Sequence, residues 1–251
     1  MTSISKRSLA RALWVPALIA SLAVAAVPVA AQAADGDYVN RFEGPRKQAL
    51  VDKKLHNVER VPNWAGRFKA ASGRWYAVAG KDAYAFSRLG GYSDEFPENG
   101  YTTSVDIYLD TSKNQVPGTD RRFDWSSAIN GPDGNHRRDF IFHVGTNPND
   151  TGNFIVTVSN NAPGNPAAGK VKLWISESGW YTFKHTFREN RSGQLVVDMR
   201  VIDSNGKVLK KWSRSNPTDV IGETVGGNRY VWLVNNDFYK LRFDNLVKRN
   251  R

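Results

Sequence analysis

Arg137, Asp139 and His143 stand at alternate positions in the run Arg137-Arg138-Asp139-Phe140-Ile141-Phe142-His143. Alternate side chains of an extended strand share a face, so the three would line up over at most about 20 Å. Histidine exchanges protons near neutral pH, and arginine grips a carboxylate through two parallel hydrogen bonds. This is the chain's best set of groups for acid–base chemistry. The plainer alternative is a cross-strand salt bridge beside a histidine whose hydrogen bonds are already made. His185 falls in the row Tyr181, Phe183, His185, Phe187, where a histidine serves packing.

Other chemistries find less support. Glycoside hydrolysis uses two carboxyl groups about 5 to 10 Å apart, and the glutamates here fall in expected loops or at strand ends. Asp106 and Asp110 share a face, but four residues of strand separate them by roughly 13 Å. No Gly-x-Ser-x-Gly elbow, His-Glu-x-x-His helix or phosphate-binding glycine loop occurs. Near the two ends, Glu43 and Asp244 would meet around an oxygen-loving cation such as calcium if the first and last strands lie side by side. Otherwise both are exposed strand-end acids.

Seven tryptophans follow residue 33, along with nine tyrosines. Most such rings fill the core of a sandwich. Trp232 is the exception: with Val231 and Leu233 directed inward, Tyr230 and Trp232 share the opposite face, which would suit stacking against sugar rings.

These side chains need strands to position them. Runs rich in Val, Ile, Thr, Phe, Tyr and Trp occupy 75–79, 83–87, 102–110, 137–144, 153–160, 170–175, 180–188, 194–202, 207–213, 229–235 and 239–247. Turns such as Asp203-Ser-Asn-Gly206 join them as antiparallel hairpins, with no helical period between. One short helix is expected at 45–55. Alternation sends Val105, Ile107 and Leu109 inward, with Phe140, Phe142 and Val144, and with Leu195, Val197, Met199 and Val201. It leaves Asp106, Tyr108, Arg137, Asp139, His143 and Arg200 on outer rows richer in acids, bases and rings than a merely solvated face.

Residues 1–33 have a basic start, an apolar run and the ending Ala31-Gln32-Ala33, the pattern of a secretory signal. Ser5-Lys6-Arg7-Ser8-Leu9 faintly resembles a twin-arginine signal, but an ordinary Sec signal needs only the positive charge. Residues 34–251 then form one β-sandwich domain acting in the periplasm or outside the cell. No further apolar run reaches the roughly 18 residues that span a bilayer. Without cysteine, neither disulfides nor thiolate metal sites contribute. The whole chain carries a formal charge of +11; three basic residues and no acidic ones lie in the leader, leaving +8 on the body. An acidic partner is favoured. The basic residues are dispersed, and without a long basic tract nucleic acid is not the expected partner.

The body resembles the concanavalin A-like lectin and glucanase superfamily, a two-sheet antiparallel jelly roll whose concave face binds carbohydrate. The resemblance rests on Gly100-Tyr-Thr-Thr-Ser-Val-Asp-Ile-Tyr-Leu-Asp110, the strands at 139–145 and 194–203, and the closing Phe243-Asp244-Asn245. It covers about residues 73–247. The glucanase branch carries Glu-x-Asp-x-x-Glu, whereas Ser104-Val-Asp106-Ile-Tyr-Leu109 lacks both glutamates, so glucanase activity does not carry over. Structural calcium, frequent in such jelly rolls, would fall on Glu43 and Asp244.

Two functions are consistent with this fold. The first is lectin-like binding of a polysaccharide or cell-surface glycan, preferably acidic, by Asp106, Tyr108, Arg137, Asp139, His143, Arg200, Tyr230 and Trp232 in one trough. The second is a polysaccharide lyase, a chemistry that some jelly rolls of this superfamily perform on uronic-acid polymers. Arg137 would neutralise the sugar carboxylate and acidify the neighbouring C–H, while His143 or Tyr108 moves the proton.

Overall fold

The structure, a computed structural model, describes residues 36–43, 56–66, 68–113, 121–147, 150–161 and 170–251. Strands form where β-branched and aromatic residues recur among polar ones. They are β1 (Tyr38–Asn40), β2 (His56–Pro62), β3 (Trp75–Ser87), β4 (Tyr101–Leu109), β5 (Arg122–Asn130), β6 (His136–Asn147), β7 (Asp150–Asn160), β8 (Leu173–Ile175), β9 (Gly179–Glu189), β10 (Gln194–Ile202), β11 (Val208–Val220), β12 (Asn228–Asn235) and β13 (Leu241–Asn250). The one α-helix among the described residues is α1 (Asn63–Gly66). The helix expected at 45–55 and the leader at 1–33 lie outside the described residues.

Every pairing between these strands is antiparallel, in the order β11-β10-β9-β4-β13-β3-β12-β5-β6-β7-β8, with β1 on β13 and β2 on β3. β3 belongs to two sheets. Residues 77–79 pair with β13, residues 83–87 pair with β12 along the same edge, and β2 takes the other edge. Between the two halves Asp82 adopts a left-handed φ of 58°. The two runs expected at 75–79 and 83–87 are therefore one bent strand that folds the molecule into a sandwich. The first sheet is β11-β10-β9-β4-β13 with the start of β3; the second is the end of β3 with β12-β5-β6-β7-β8.

Phenylalanines weld the layers together. Phe123, Phe140 and Phe142 of the second sheet meet Phe183, Phe187 and Trp212 of the first at ring separations of 5.3 to 6.3 Å, mostly edge to face. The inward rows read from alternation are buried on β4, β6, β10 and β12 alike. Gly100 enters β4 at φ 76°, where a Cβ would strike the Phe187 carbonyl, so only glycine lets β4 start this close to β9. A second, smaller cluster of Ala70, Tyr76 and Val78, with Val61, Phe68 and Trp180 packed on it, covers part of the first sheet's outer face.

β1, β2 and β5 add strands that the sequence pattern did not reveal. β5 matters most: Phe123 and Trp125 point inward, while Asp124 and Ser126 point outward between β6 and β12. Phe183 is fully buried between Phe123 and Phe142. Phe183→Ala is expected to cost about 3 to 5 kcal/mol of stability, measured by urea unfolding with an unchanged m-value; a loss under about 1 kcal/mol would contradict this packing.

Candidate functional site

The outer face of the second sheet combines rings with a polar row. Trp232 pairs across the ladder with Phe86 on one side and Ser126 on the other. Tyr230 lies 4.9 Å from the Phe86 ring and 6.4 Å from the Trp232 ring, and the His136 ring stacks on Tyr230 at 6.0 Å. Asp139 ties this corner together, taking a 2.7 Å bond from His136 Nε2 and a 3.4 Å bond from the Tyr230 hydroxyl. Burial, reinforced by the Asp139 charge, raises the Tyr230 phenol pKa well above its ordinary value. Trp232 itself is 41% exposed, although Val231 and Leu233 beside it are fully buried.

One ladder row away, three side chains from adjacent strands form a hydrogen-bonded chain. His143 Nδ1 lies 2.7 Å from Asp124 Oδ1, and its Nε2 lies 2.7 Å from Ser159 Oγ. One tautomer satisfies both bonds: Nδ1–H donates to Asp124, and Nε2 accepts from the serine hydroxyl. His143 is 1% exposed, so neither nitrogen faces solvent. Its ring locks β5, β6 and β7 in register. Asp124, Ser126 and Ser159 escaped sequence reasoning because β5 did, and because a lone serine carries no periodic signal.

The eight residues expected in one trough divide among three places. Asp139, His143, Tyr230 and Trp232 share the second sheet's outer face. Asp106, Tyr108 and Arg200 lie on the outer face of the first sheet, across the core. Asp106 accepts bonds from the Thr182 hydroxyl and, at 2.7 Å, from Asn245 Nδ2. Tyr108 packs 4.4 Å from the Phe68 ring and 5.5 Å from Trp180, and burial with the Asp110 charge raises its pKa. Arg137 stands at the start of β6, where it and Arg138 grip the buried Asp219 of β11 at 3.1 and 2.6 Å. It ties one sheet to the other. The catalytic trio His143, Tyr108 and Arg137 is therefore not assembled: Tyr108 lies on the other sheet from His143, and Arg137, though on β6 with His143, is held by Asp219. His185 packs as expected, fully buried, with burial lowering its pKa to about 3.

Glu43 and Asp244 do come near each other, because β1 pairs with β13. Glu43 Oε1 accepts the Arg74 and Trp75 amides at 2.7 and 2.8 Å. Asp244 is fully buried and accepts the Ser72 and Asn245 amides. Calcium takes six to eight oxygens, whereas N–H donors face these carboxylates, and no group of three or more metal-ligating residues occurs among those described. The residues do not fit a calcium cage. Burial, with the Asp106 and Glu43 charges, raises the Asp244 pKa to about 7.

No family model matches this chain, and neither does any curated protein. Solved structures with a similar outline include a protein of unknown function from Shewanella oneidensis, 13% identical with a TM-score of 0.39 over 86% of this chain and 88% of that one. An alginate lyase mutant in complex with alginate trisaccharide is 11% identical, with a TM-score of 0.42 over 86% and 98%. A Bacillus licheniformis β-glucanase is 10% identical, with a TM-score of 0.33 over 87% and 100%. Identities and scores this low assign neither a family nor an activity to the chain.

Asp244 makes stability depend on pH. With a folded pKa of about 7 against an ordinary 3.8, it holds its proton more tightly when folded. Its contribution is full below about pH 4 and is lost as pH rises through 7. Glu43→Gln keeps the oxygen that accepts the two amides and removes one repelling charge. Thermal melts from pH 4 to 8 should show a shallower fall for Glu43→Gln than for the wild type; identical slopes, or a slope abolished by calcium, would contradict this account of Asp244.

Proposed function

We propose that the chain is an exported polysaccharide-binding protein whose ligand lies along the outer face of β12, β5 and β6. The exposed Trp232 ring, backed by Tyr230 and Phe86 in the middle of a sheet, supports this reading most. A ring left in water on a well-formed strand is a ready platform for the C–H face of a sugar, with neighbouring polar groups available to its hydroxyls. Asp124, 35% exposed, is such a neighbour, whereas Ser126 is buried. The positive charge favours an acidic polysaccharide or cell-surface glycan. Location outside the cytoplasm follows from the leader. Among the described residues no helix is long and apolar enough to cross a membrane.

The alternative, β-elimination of a uronic-acid polymer, has less support. Arg137 is held by Asp219, Tyr108 lies under Phe68, and His143 has both nitrogens bonded. Arg137, Tyr108 and His143 are each engaged by other residues and not by one another.

Binding is measured by calorimetry and affinity electrophoresis against alginate, polygalacturonate, glucuronan and neutral glucans. Truncating a tryptophan anchor costs at least about 2 kcal/mol, so Trp232→Ala should weaken binding of the preferred polymer about 30-fold with unchanged circular dichroism. Full affinity in Trp232→Ala would remove the ring platform. Growth of the ultraviolet absorbance of an unsaturated product, lost in His143→Ala, would replace binding with lyase activity.

A further inference from the structure

The first sheet carries a different surface on its outer face. Lys184 of β9, Arg200 of β10 and Lys211 of β11 are direct cross-strand neighbours, with Arg200 in the middle. Adjacent strands lie about 4.8 Å apart, so three cations form a straight row across the sheet. Like charges directly opposite one another are destabilising. One acid compensates two of the three. Asp198, one ladder step along β10, lies 3.1 Å from Lys211 Nζ, 3.2 Å from Arg188 Nε and 3.6 Å from Arg200. Burial alone would raise the pKa of Asp198, but its bonds to Ser213, Arg188 and Lys211 override that and hold it at about 2. It is charged at neutral pH and shared three ways.

Lys184 has no carboxylate partner among the described residues, and its neighbour on β4 is the neutral Ser104. Burial first, and then the charges of Arg200 and Arg251, lower its pKa. Ser104 extends the row on β4, while one ladder step away the Ser213 hydroxyl donates to Asp198 at 2.6 Å and Thr186 is buried. The exposed aromatic rings of the described residues, Trp64, Trp174, Trp232 and Tyr239, all lie off β9, β10 and β11, where Val208 at the start of β11 is the one exposed large apolar residue. A membrane-binding face would need such apolar anchors beside its cations. A straight row of cations across three strands suits an extended chain that bears carboxylates at intervals.

We propose that the outer face of β9, β10 and β11 is a second ligand surface, taking a linear carboxylated polysaccharide along the row Lys184, Arg200 and Lys211. It rests on the polysaccharide reading for the ligand class alone, and it lies across the core from the Trp232 platform. Both surfaces would engage an acidic polymer, while a neutral one would use only the ring face.

The test compares the wild type, a triple variant Lys184→Gln, Arg200→Gln and Lys211→Gln, and the charge-preserving triple Lys184→Arg, Arg200→Lys and Lys211→Arg. Ligands are polygalacturonate, a neutral glucan, single-stranded DNA and vesicles of anionic lipid, over a range of salt. The glutamine triple should keep the wild-type circular dichroism but melt somewhat lower, because it removes two of the three cations paired with the buried Asp198. It should bind polygalacturonate about tenfold more weakly, with a shallower salt dependence. The charge-preserving triple should bind as the wild type does. Unchanged polygalacturonate affinity in the glutamine triple would overturn the proposal. DNA or vesicles bound through the row more tightly than polygalacturonate would overturn it equally. Trp232→Ala, run alongside, separates the failures: loss of binding there with an inert cation row sinks only this second surface, and the reverse sinks only the ring platform.

Discussion

The packing of phenylalanines between two antiparallel sheets governs what else this molecule can present. Phe123, Phe140 and Phe142 must face Phe183, Phe187 and Trp212, and strand geometry then sends each alternate residue away from the core. Because the sheets are joined at the bent strand β3, the two outward rows look in opposite directions. No rearrangement of rotamers could bring Tyr108 to His143 without taking the sandwich apart.

That separation gives the two faces different chemistry. The second sheet carries Trp232, Tyr230 and Phe86 beside a hydrogen-bonded chain of Asp124, His143 and Ser159. The first sheet carries cations gathered about Asp198, and its remaining outer surface is partly roofed by Phe68 over Tyr108 and Trp180. A ring platform gains from apolar contact, while a cation row works best beside water. Placing them across the core keeps each in the surroundings that suit it. Arg137 and Arg138, gripping Asp219, belong to neither surface and bind the two sheets to each other.

Much of the fold was legible because alternation is a local property. The inward rows of β4, β6, β10 and β12 could be read directly, as could the outward phase of Trp232. Three kinds of information were not local. Which sheet a strand joins depends on pairings far apart in sequence, so Asp106 and Asp139 looked alike on paper. β5 was hidden because Asp124, Ser126 and Ser127 dilute its apolar signal, and with it went the partner of His143. Arg137 resembled a ligand clamp because its acid, Asp219, stands on β11, and nothing in the sequence links the two. The meeting of Glu43 with Asp244 did follow from the idea that terminal strands pair, but the amides filling their oxygens are visible only in three dimensions.

The ring face and the cation row are separate surfaces with separate ligand preferences. Amide and indole chemical-shift mapping with a neutral glucan oligosaccharide addresses this directly. Perturbations should centre on the Trp232 indole N–H and the amides of β12, β5 and β6, leaving Lys184, Arg200 and Lys211 unmoved. Shifts centred on β9, β10 and β11, or spread evenly over both sheets, would contradict it.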